Sequence, residues 1–188
     1  MADDELESYE NFIAHCAEYV KRGETSRIIY NRSPVHAAVL IRYLIQSAER
    51  EVRILSGELN HGVYGDPRVI KAAVEFLHRG GHLRVLLDLN PSSLDPYITL
   101  GDLVQTNSLL SALFAAMREE KVAGHVEVRM VPAKVAAQYP FHCLVADAAS
   151  FRFEEDRQKM DAIAQFGNER FALALKTRFE QIWALSQQ

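Results

Sequence analysis

Short apolar runs alternate with amphipathic helical segments through most of this chain, and the alternation strongly limits the folds open to it. Two of the helices have clear starts, because Ser33 and Asp66 each stand directly before a proline. A capping side chain followed by proline in the first turn is a typical helix beginning. The second of these helices stops at Gly80. Strands and helices joined by short connections favour an α/β sheet whose crossover helices cover its faces.

The sequence predicts a first helix over residues 4–22, alternating strands and helices, a β-hairpin, and two final helices separated by Gly167. The strands are predicted at residues 26–31, 51–57, 82–89, 125–131, 141–146 and 150–154. Residues 57–65 are predicted as a glycine-bearing loop and 90–106 as a long, partly irregular one. The first strands are expected to be parallel, with right-handed crossovers.

The length of 188 residues suits one domain that buries enough surface to need no disulfide or metal. We therefore predict a single domain over residues 1–188. An N-terminal helix (1–25) precedes a mixed β-sheet flanked by helices on both faces (26–186).

Composition and charge narrow the cellular setting. Cys16 and Cys143 lie in apolar segments without paired spacing and are expected to be buried free thiols of a reducing cytoplasm. The acidic N-terminus is unlike a signal or transit peptide, and no apolar run reaches the ~20 residues of a membrane span. A net charge of −4 does not indicate nucleic acid, whose partners are usually basic.

Common cofactor, metal and nucleophile motifs are absent from the sequence. It contains no GxGxxG at a helix start, no GxxxxGK[ST], no HExxH and no GxSxG. We therefore predict no cofactor, no metal site and no serine nucleophile of the elbow type.

Polar side chains follow several predicted strands, where ligands collect in open α/β sheets. Arg32 beside a helix start is a candidate anion site, and His61 in its glycine-flanked loop is a candidate ligand contact. A simple cap and a solvated surface charge are the plainer interpretations of Ser33 and Arg32. The predicted ligand-binding residues are Arg32, Ser33, Ser56, Asn60, His61 and Arg152.

The stretch YPFHCLVADAASFRFEED, residues 139–156, carries a histidine in an apolar run that ends at an aspartate. Together with the order of elements, residues 35–57 and the ending FALALKTRFEQIWALS, it resembles one half of the phospholipase D/nuclease superfamily over roughly residues 26–186. The resemblance implies a His-x-Lys-x(4)-Asp motif with a nucleophilic histidine and a phosphate-holding lysine. It also implies that two such motifs meet at one site, within a chain or across a dimer.

The sequence departs from that motif in both possible registers. With His142 as the motif histidine, Leu144 takes the place of the lysine and Ala149 that of the aspartate. With Asp147 as the motif aspartate, His142 takes the lysine position and Pro140 the nucleophile's. The second register suits the strand better, because Asp147 ends the apolar run. A phosphoenzyme needs donors around the developing charge, and leucine supplies none.

Two functions remain open. The first is a catalytically degenerate phospholipase D-like module that binds a phosphorylated ligand or a protein partner in a sensing or regulatory role. The second is a metal-independent phosphodiesterase or nuclease with His142 as a catalytic residue and a site formed across a homodimer. A homodimer is expected in either case, since single-half relatives pair and the last helix carries Phe171, Phe179 and Trp183.

Overall fold

The computed structural model describes residues 3–88, 99–119, 122–157, 159 and 161–186. The helices are α1 (Asp3–Lys21), α2 (Pro34–Ser47), α3 (His61–Tyr64), α4 (Pro67–His78), α5 (Leu100–Thr106), α6 (Ser108–Ala116), α7 (Ala133–Ala136) and α8 (Glu169–Leu185). The strands are β1 (Ile29–Asn31), β2 (Glu51–Ser56), β3 (His82–Leu87), β4 (His125–Met130), β5 (His142–Ala146), β6 (Ser150–Glu154) and β7 (Ala162–Gln165). Among these described helices, none is long and apolar enough to cross a membrane.

The strands form one mixed sheet in the order β1-β7-β6-β5-β2-β3-β4. Strands β2, β3 and β4 are parallel neighbours, whereas β5, β6 and β7 pair antiparallel. β1 lies at the far edge of the sheet, where it pairs antiparallel with β7 and does not pair with the other early strands. Following the pairings across the sheet, β1 nevertheless runs in the same direction as β2, β3 and β6.

Helices cover both faces of the sheet, which confirms the α/β class with flanking helical layers. One core cluster joins α1, α2, α4 and α6 to the sheet, and it includes Leu144 of β5. The other cluster lies between the sheet and α8 and includes Cys143 and Val145. Successive residues of β5 therefore face opposite layers, as a strand between two cores requires.

The predicted helix boundaries rest on caps that the structure shows. The Ser33 hydroxyl accepts from the amide of His36 at 3.2 Å, and the Asp66 carboxylate accepts from the amide of Arg68 at 2.8 Å. Gly23, just beyond α1, has a φ of 68°, which glycine adopts without the steric cost of a Cβ. These local signals placed α1, α2 and α4 within a few residues.

Three local predictions were wrong. Residues 162–165 were assigned to a helix but form β7, because pairing with β6 and burial of Ala162 and Ala164 override the helical preference of alanine. Residues 100–106 were assigned to a loop but form α5, which Thr99 and Asp102 start with a reciprocal capping box. The loop predicted at 57–65 contains the single turn α3, and residues 90–98 of the other predicted loop lie outside the described residues.

The three aromatic side chains of α8 that support the expected homodimer differ in burial. Phe179 and Trp183 are indeed buried, at 0% and 7% exposure, whereas Phe171 is 36% exposed. Phe171 stacks on Phe151 at the edge of the core, so it is a boundary residue. The rings of Phe179 and Trp183 therefore belong to the core of the protomer, whereas Leu173 and Leu185 of the same helix are exposed.

Candidate functional site

A cavity of about 660 Å³ opens at the edge of the sheet where β2, β3 and β6 end and β5 begins. The loop after β1 also reaches it, because β1 runs in the same direction as these strands. Ligands collect at this kind of edge in open α/β sheets. The volume falls within the range of small-molecule sites, about 300–1,000 Å³.

The cavity brings together most of the residues predicted from the sequence. Its wall includes Ser33, Ser56, Asn60, His142 and Arg152. Arg32 and His61 are not among its lining residues. Arg32 is largely exposed and pairs with Asp161 at 3.0 Å, and the exposed His61 begins α3 and packs back against Gly65.

His142 is the first residue of β5, and its cross-strand partner in the hairpin is Glu154. The imidazole Nδ1 lies 3.7 Å from a carboxylate oxygen of Glu154. The other nitrogen, Nε2, is buried without a hydrogen-bond partner among the described residues. The ring edge lies beside Gly57, where an added Cβ would be 3.8 Å from Nε2. Buried polar atoms are nearly always paired, so this nitrogen is a candidate contact for a bound group.

Arg152, also predicted as a site residue, is held rigidly in the cavity wall. Its Nε and Nη2 donate to the side-chain oxygen of Asn31 at 3.2 and 3.1 Å, and its Nη1 donates to Glu154 at 3.3 Å. Asn31 is 1% exposed and Arg152 is 9% exposed. A guanidinium has five N–H donors, and these three bonds fix its plane. The cation is therefore preorganised, with donors to spare.

Glu154 links the two candidate groups electrostatically. Burial acts to raise the pKa of its carboxyl, but the contact with His142 and the charge of Arg152 outweigh burial and lower the pKa below its usual value. Glu154 is therefore ionised at neutral pH and compensates charge on either neighbour.

An ion pair and a buried tyrosine also line the cavity. Arg157 forms an ion pair with the buried Asp88 and also donates to the carbonyl of Ala136 at 3.2 Å. Tyr64 is buried, and burial raises the pKa of its phenol well above the usual value, so it stays neutral. The cavity wall thus contains paired arginines and acids and a neutral phenol.

Asp147, the candidate motif aspartate, lies at the opposite end of β5 from His142. Its carboxylate accepts the backbone amides of Glu49, Arg50 and Glu51 at 2.8, 2.9 and 2.8 Å. Its φ of 53° is left-handed, a conformation that aspartate tolerates better than most residues. Asp147 therefore holds the hairpin against the start of β2 and does not reach His142, as the strand length predicts.

Sequence reasoning did not identify the charged partner of His142. That partner, Glu154, comes from the next strand, β6. The signal was present, because a hairpin that pairs Ala146 with Ser150 also pairs His142 with Glu154. Asn31 and Arg157 had no such signal, since their contacts depend on the position of β1 and on a loop.

The fold is similar to solved structures of the phospholipase D family. Nuc from Salmonella typhimurium, a phospholipase D family member, is 13% identical with a TM-score of 0.55, over 87% of this chain and 97% of that one. NucT from Helicobacter pylori is 11% identical with a TM-score of 0.56, over 87% of this chain and 98% of that one. At these identities the likeness establishes a phospholipase D-like fold.

Another similar structure is TrmBL2, an archaeal chromatin protein whose structure shows a mode of DNA binding. It is 15% identical with a TM-score of 0.57, over 98% of this chain, and the chain spans 63% of its length. No curated protein matches the sequence. Residues 33–188 match the family described as "Domain of unknown function (DUF7931)". The chain therefore belongs to this family and has the phospholipase D-like fold.

Proposed function

We propose that the protein is a catalytically degenerate phospholipase D-like module that binds a small phosphorylated ligand in the cavity, in a sensing or regulatory role. The observation that supports this most is the buried, unpartnered Nε2 of His142 in the same cavity wall as Arg152. An imidazole nitrogen and a fixed guanidinium are both suited to phosphoryl oxygens.

The charges around the cavity refine the ligand class. The arginines of the wall are balanced by acids, namely Glu58, Asp88 and Glu154. A ligand with many negative charges would be repelled by these carboxylates, whereas hydroxyl or amino groups would donate to them. The ligand that fits best carries one phosphate together with hydrogen-bond donors.

The same geometry disfavours turnover. The residue two positions after His142 is Leu144, which is 1% exposed and packed in the core. The nearest charge to His142 is the carboxylate of Glu154, which cannot stabilise added negative charge on a phosphoryl group. A histidine attack on phosphorus would therefore lack the motif lysine, and the guanidinium of Arg152, already bound to Asn31 and Glu154, would be a cation left to hold the phosphoryl oxygens.

Binding is tested by calorimetry with inorganic phosphate and with a small phosphate monoester that carries hydroxyl groups. His142→Ala is expected to weaken binding about tenfold, which corresponds to one lost charge-assisted hydrogen bond of about 1.4 kcal/mol. Arg32→Ala is the matched control, since it removes a nearby cation outside the cavity wall and should leave affinity unchanged. Equal affinities for the wild type and His142→Ala would refute the proposed site.

One observation favours the second function, a metal-independent phosphodiesterase or nuclease with a site across a homodimer. The Glu154 carboxylate lies 3.7 Å from Nδ1 of His142, so it could stabilise a protonated imidazole during proton transfer or attack. We expect no turnover of bis(p-nitrophenyl) phosphate in the presence of EDTA. Robust turnover by the wild type that disappears in His142→Ala would establish the phosphodiesterase instead.

The homodimer stays a prediction. Large apolar side chains are exposed on and near β1, an edge strand, namely Ile28, Tyr30 and Val35. A specific pair buries about 1,600 Å² in total. Light scattering is expected to give twice the 21.3 kDa chain mass at tens of micromolar, and the monomer mass would contradict the prediction.

A further inference from the structure

Two histidines and a glutamate converge on the edge of the sheet opposite the cavity. Strands β3 and β4 are parallel, and their register places His82 directly beside His125. Glu127 is two residues further along β4 and so lies on the same face as His125. One nitrogen from each histidine and one carboxylate oxygen all lie within 4.8 Å of one another.

The cluster is separate from the cavity. His82 begins β3, whereas Leu87 ends the strand next to the cavity wall. Five residue steps along a strand cover roughly 17 Å. A ligand at one site would not contact a ligand at the other.

The side chains of the cluster lie close enough together to share one cation. His82 Nε2 lies 2.9 Å from the Glu127 carboxylate, and the two imidazole rings are 5.4 Å apart. Arg84, the cross-strand neighbour of Glu127, is bound to Glu180 at 2.6 Å. Among the described residues, the Glu127 carboxylate therefore pairs with His82 and is not taken by this arginine.

We propose that His82, His125 and Glu127 bind a transition-metal dication such as Zn²⁺. Two imidazoles and a carboxylate suit Zn²⁺ and related metals, whereas Mg²⁺ and Ca²⁺ prefer an all-oxygen set. Donors around a tetrahedral Zn²⁺ with bonds of about 2.0–2.1 Å lie about 3.4 Å apart. The His82–Glu127 pair is already near that separation, and the exposed His125 side chain needs only a small rotation.

A metal at this site would act as a clamp. Strand β4 is at the edge of the sheet, and two of the three ligands belong to it. The metal would tie this edge strand to β3 and stabilise the folded state as the metal concentration rises. The side chains of His82 and Glu127 are 37% and 29% exposed, so water can complete the coordination.

No sequence motif predicts this site, because its ligands come from two strands, and His82 and His125 are 43 positions apart in the chain. Within β4, His125-x-Glu127 is a common exposed pattern of an edge strand. Only the parallel register converts it into a three-ligand set.

The test is Zn²⁺ titration of untagged, metal-free protein by calorimetry, with Co²⁺ absorption as a report on ligand geometry. The wild type is expected to bind one Zn²⁺ and to unfold at a higher temperature with metal present. Loss of an outer-sphere partner weakens metal binding about tenfold, so His125→Ala, which removes a direct ligand, should weaken Zn²⁺ binding at least as much. This residue is exposed at the surface, so the variant should fold normally.

His78→Ala is the matched control, because His78 also faces a carboxylate, that of Glu119 at 3.8 Å, but belongs to no three-ligand group among the described residues. It should bind Zn²⁺ like the wild type. Unchanged affinity in His125→Ala, or equal losses in both variants, would show adventitious surface binding and overturn the proposal. His142→Ala should retain the metal, which keeps this test independent of the phosphate cavity.

Discussion

Substitution of Asp147 tests the structural role that the hairpin assigns to this aspartate. Its carboxylate accepts three backbone amides at 2.8–2.9 Å, and its φ is 53°. Each hydrogen bond contributes about 1 kcal/mol net, and alanine in a left-handed conformation costs about 1 kcal/mol more. The amides of Glu49 and Arg50 can form hydrogen bonds with water when the carboxylate is removed, so the loss is smaller than the sum of these contributions. We expect Asp147→Ala to lower the free energy of unfolding by about 3 kcal/mol.

Two further variants separate the hydrogen bonds from the backbone strain. Asp147→Gly loses the acceptors but relieves the strain, so it should be about 1 kcal/mol less destabilised than Asp147→Ala. Asp147→Asn keeps one acceptor oxygen and tolerates the left-handed conformation, and should lose about 1 kcal/mol. Urea unfolding followed by circular dichroism, with unchanged m-values, measures all three.

The order of stabilities is the critical result. If Asp147→Ala lies within about 0.5 kcal/mol of the wild type, the carboxylate does not hold the hairpin as the structure shows. If Asp147→Gly is as unstable as Asp147→Ala, the left-handed conformation is not a source of strain. Phosphate affinity should be unaffected in Asp147→Asn, because Asp147 and His142 are about 16 Å apart along the strand.

Three other predictions concern the buried polar and thiol groups. Asn31→Ala should destabilise the fold by about 2 kcal/mol and weaken phosphate binding, because Arg152 loses two hydrogen bonds. Asn31→Asp keeps the acceptor oxygen and is the control. An alanine variant with unchanged stability and unchanged phosphate affinity would contradict this prediction. Because the pKa of Glu154 is lowered in the folded state, its charged form stabilises the fold above about pH 4.3, and this contribution is lost as the pH falls through the lowered value. The difference in unfolding free energy between wild type and Glu154→Gln should therefore shrink in acid. A difference that does not change with pH would contradict this prediction. Burial raises the pKa of the Cys143 thiol to about 12 and that of the Cys16 thiol above its usual value. Ellman's reagent should therefore label neither thiol until the protein unfolds. Rapid labelling of the native protein would show an exposed thiol and contradict the prediction.

Features encoded by nearby residues could be predicted from the sequence. The caps at Ser33 and Asp66 predicted two helix starts, and two strands separated by little more than Ala148 and Ala149 predicted the hairpin, although not its register. The capping box that begins α5 was equally local and was overlooked, so residues 100–106 were assigned to a loop.

Features that depend on distant pairing could not be predicted. Residues 162–165 have the composition of a helix, and only contact with β6 makes them a strand. The position of β1 at the far edge follows from its pairing with β7, and this pairing sets Asn31 against Arg152. The sequence therefore predicted that polar side chains gather at the strand ends, whereas the network that holds Arg152 was not visible in it.

The proposed ligand site is tested most directly at the nitrogen atom that motivates it. Long-range ¹H–¹⁵N NMR spectra of the histidine side chains, recorded while inorganic phosphate is added, report on each imidazole nitrogen separately. We predict a saturable shift at Nε2 of His142, which is buried and unpartnered among the described residues, with no comparable shift at His61 outside the cavity wall. A constant His142 signal, or a shift only at His61, would contradict phosphate binding in this cavity.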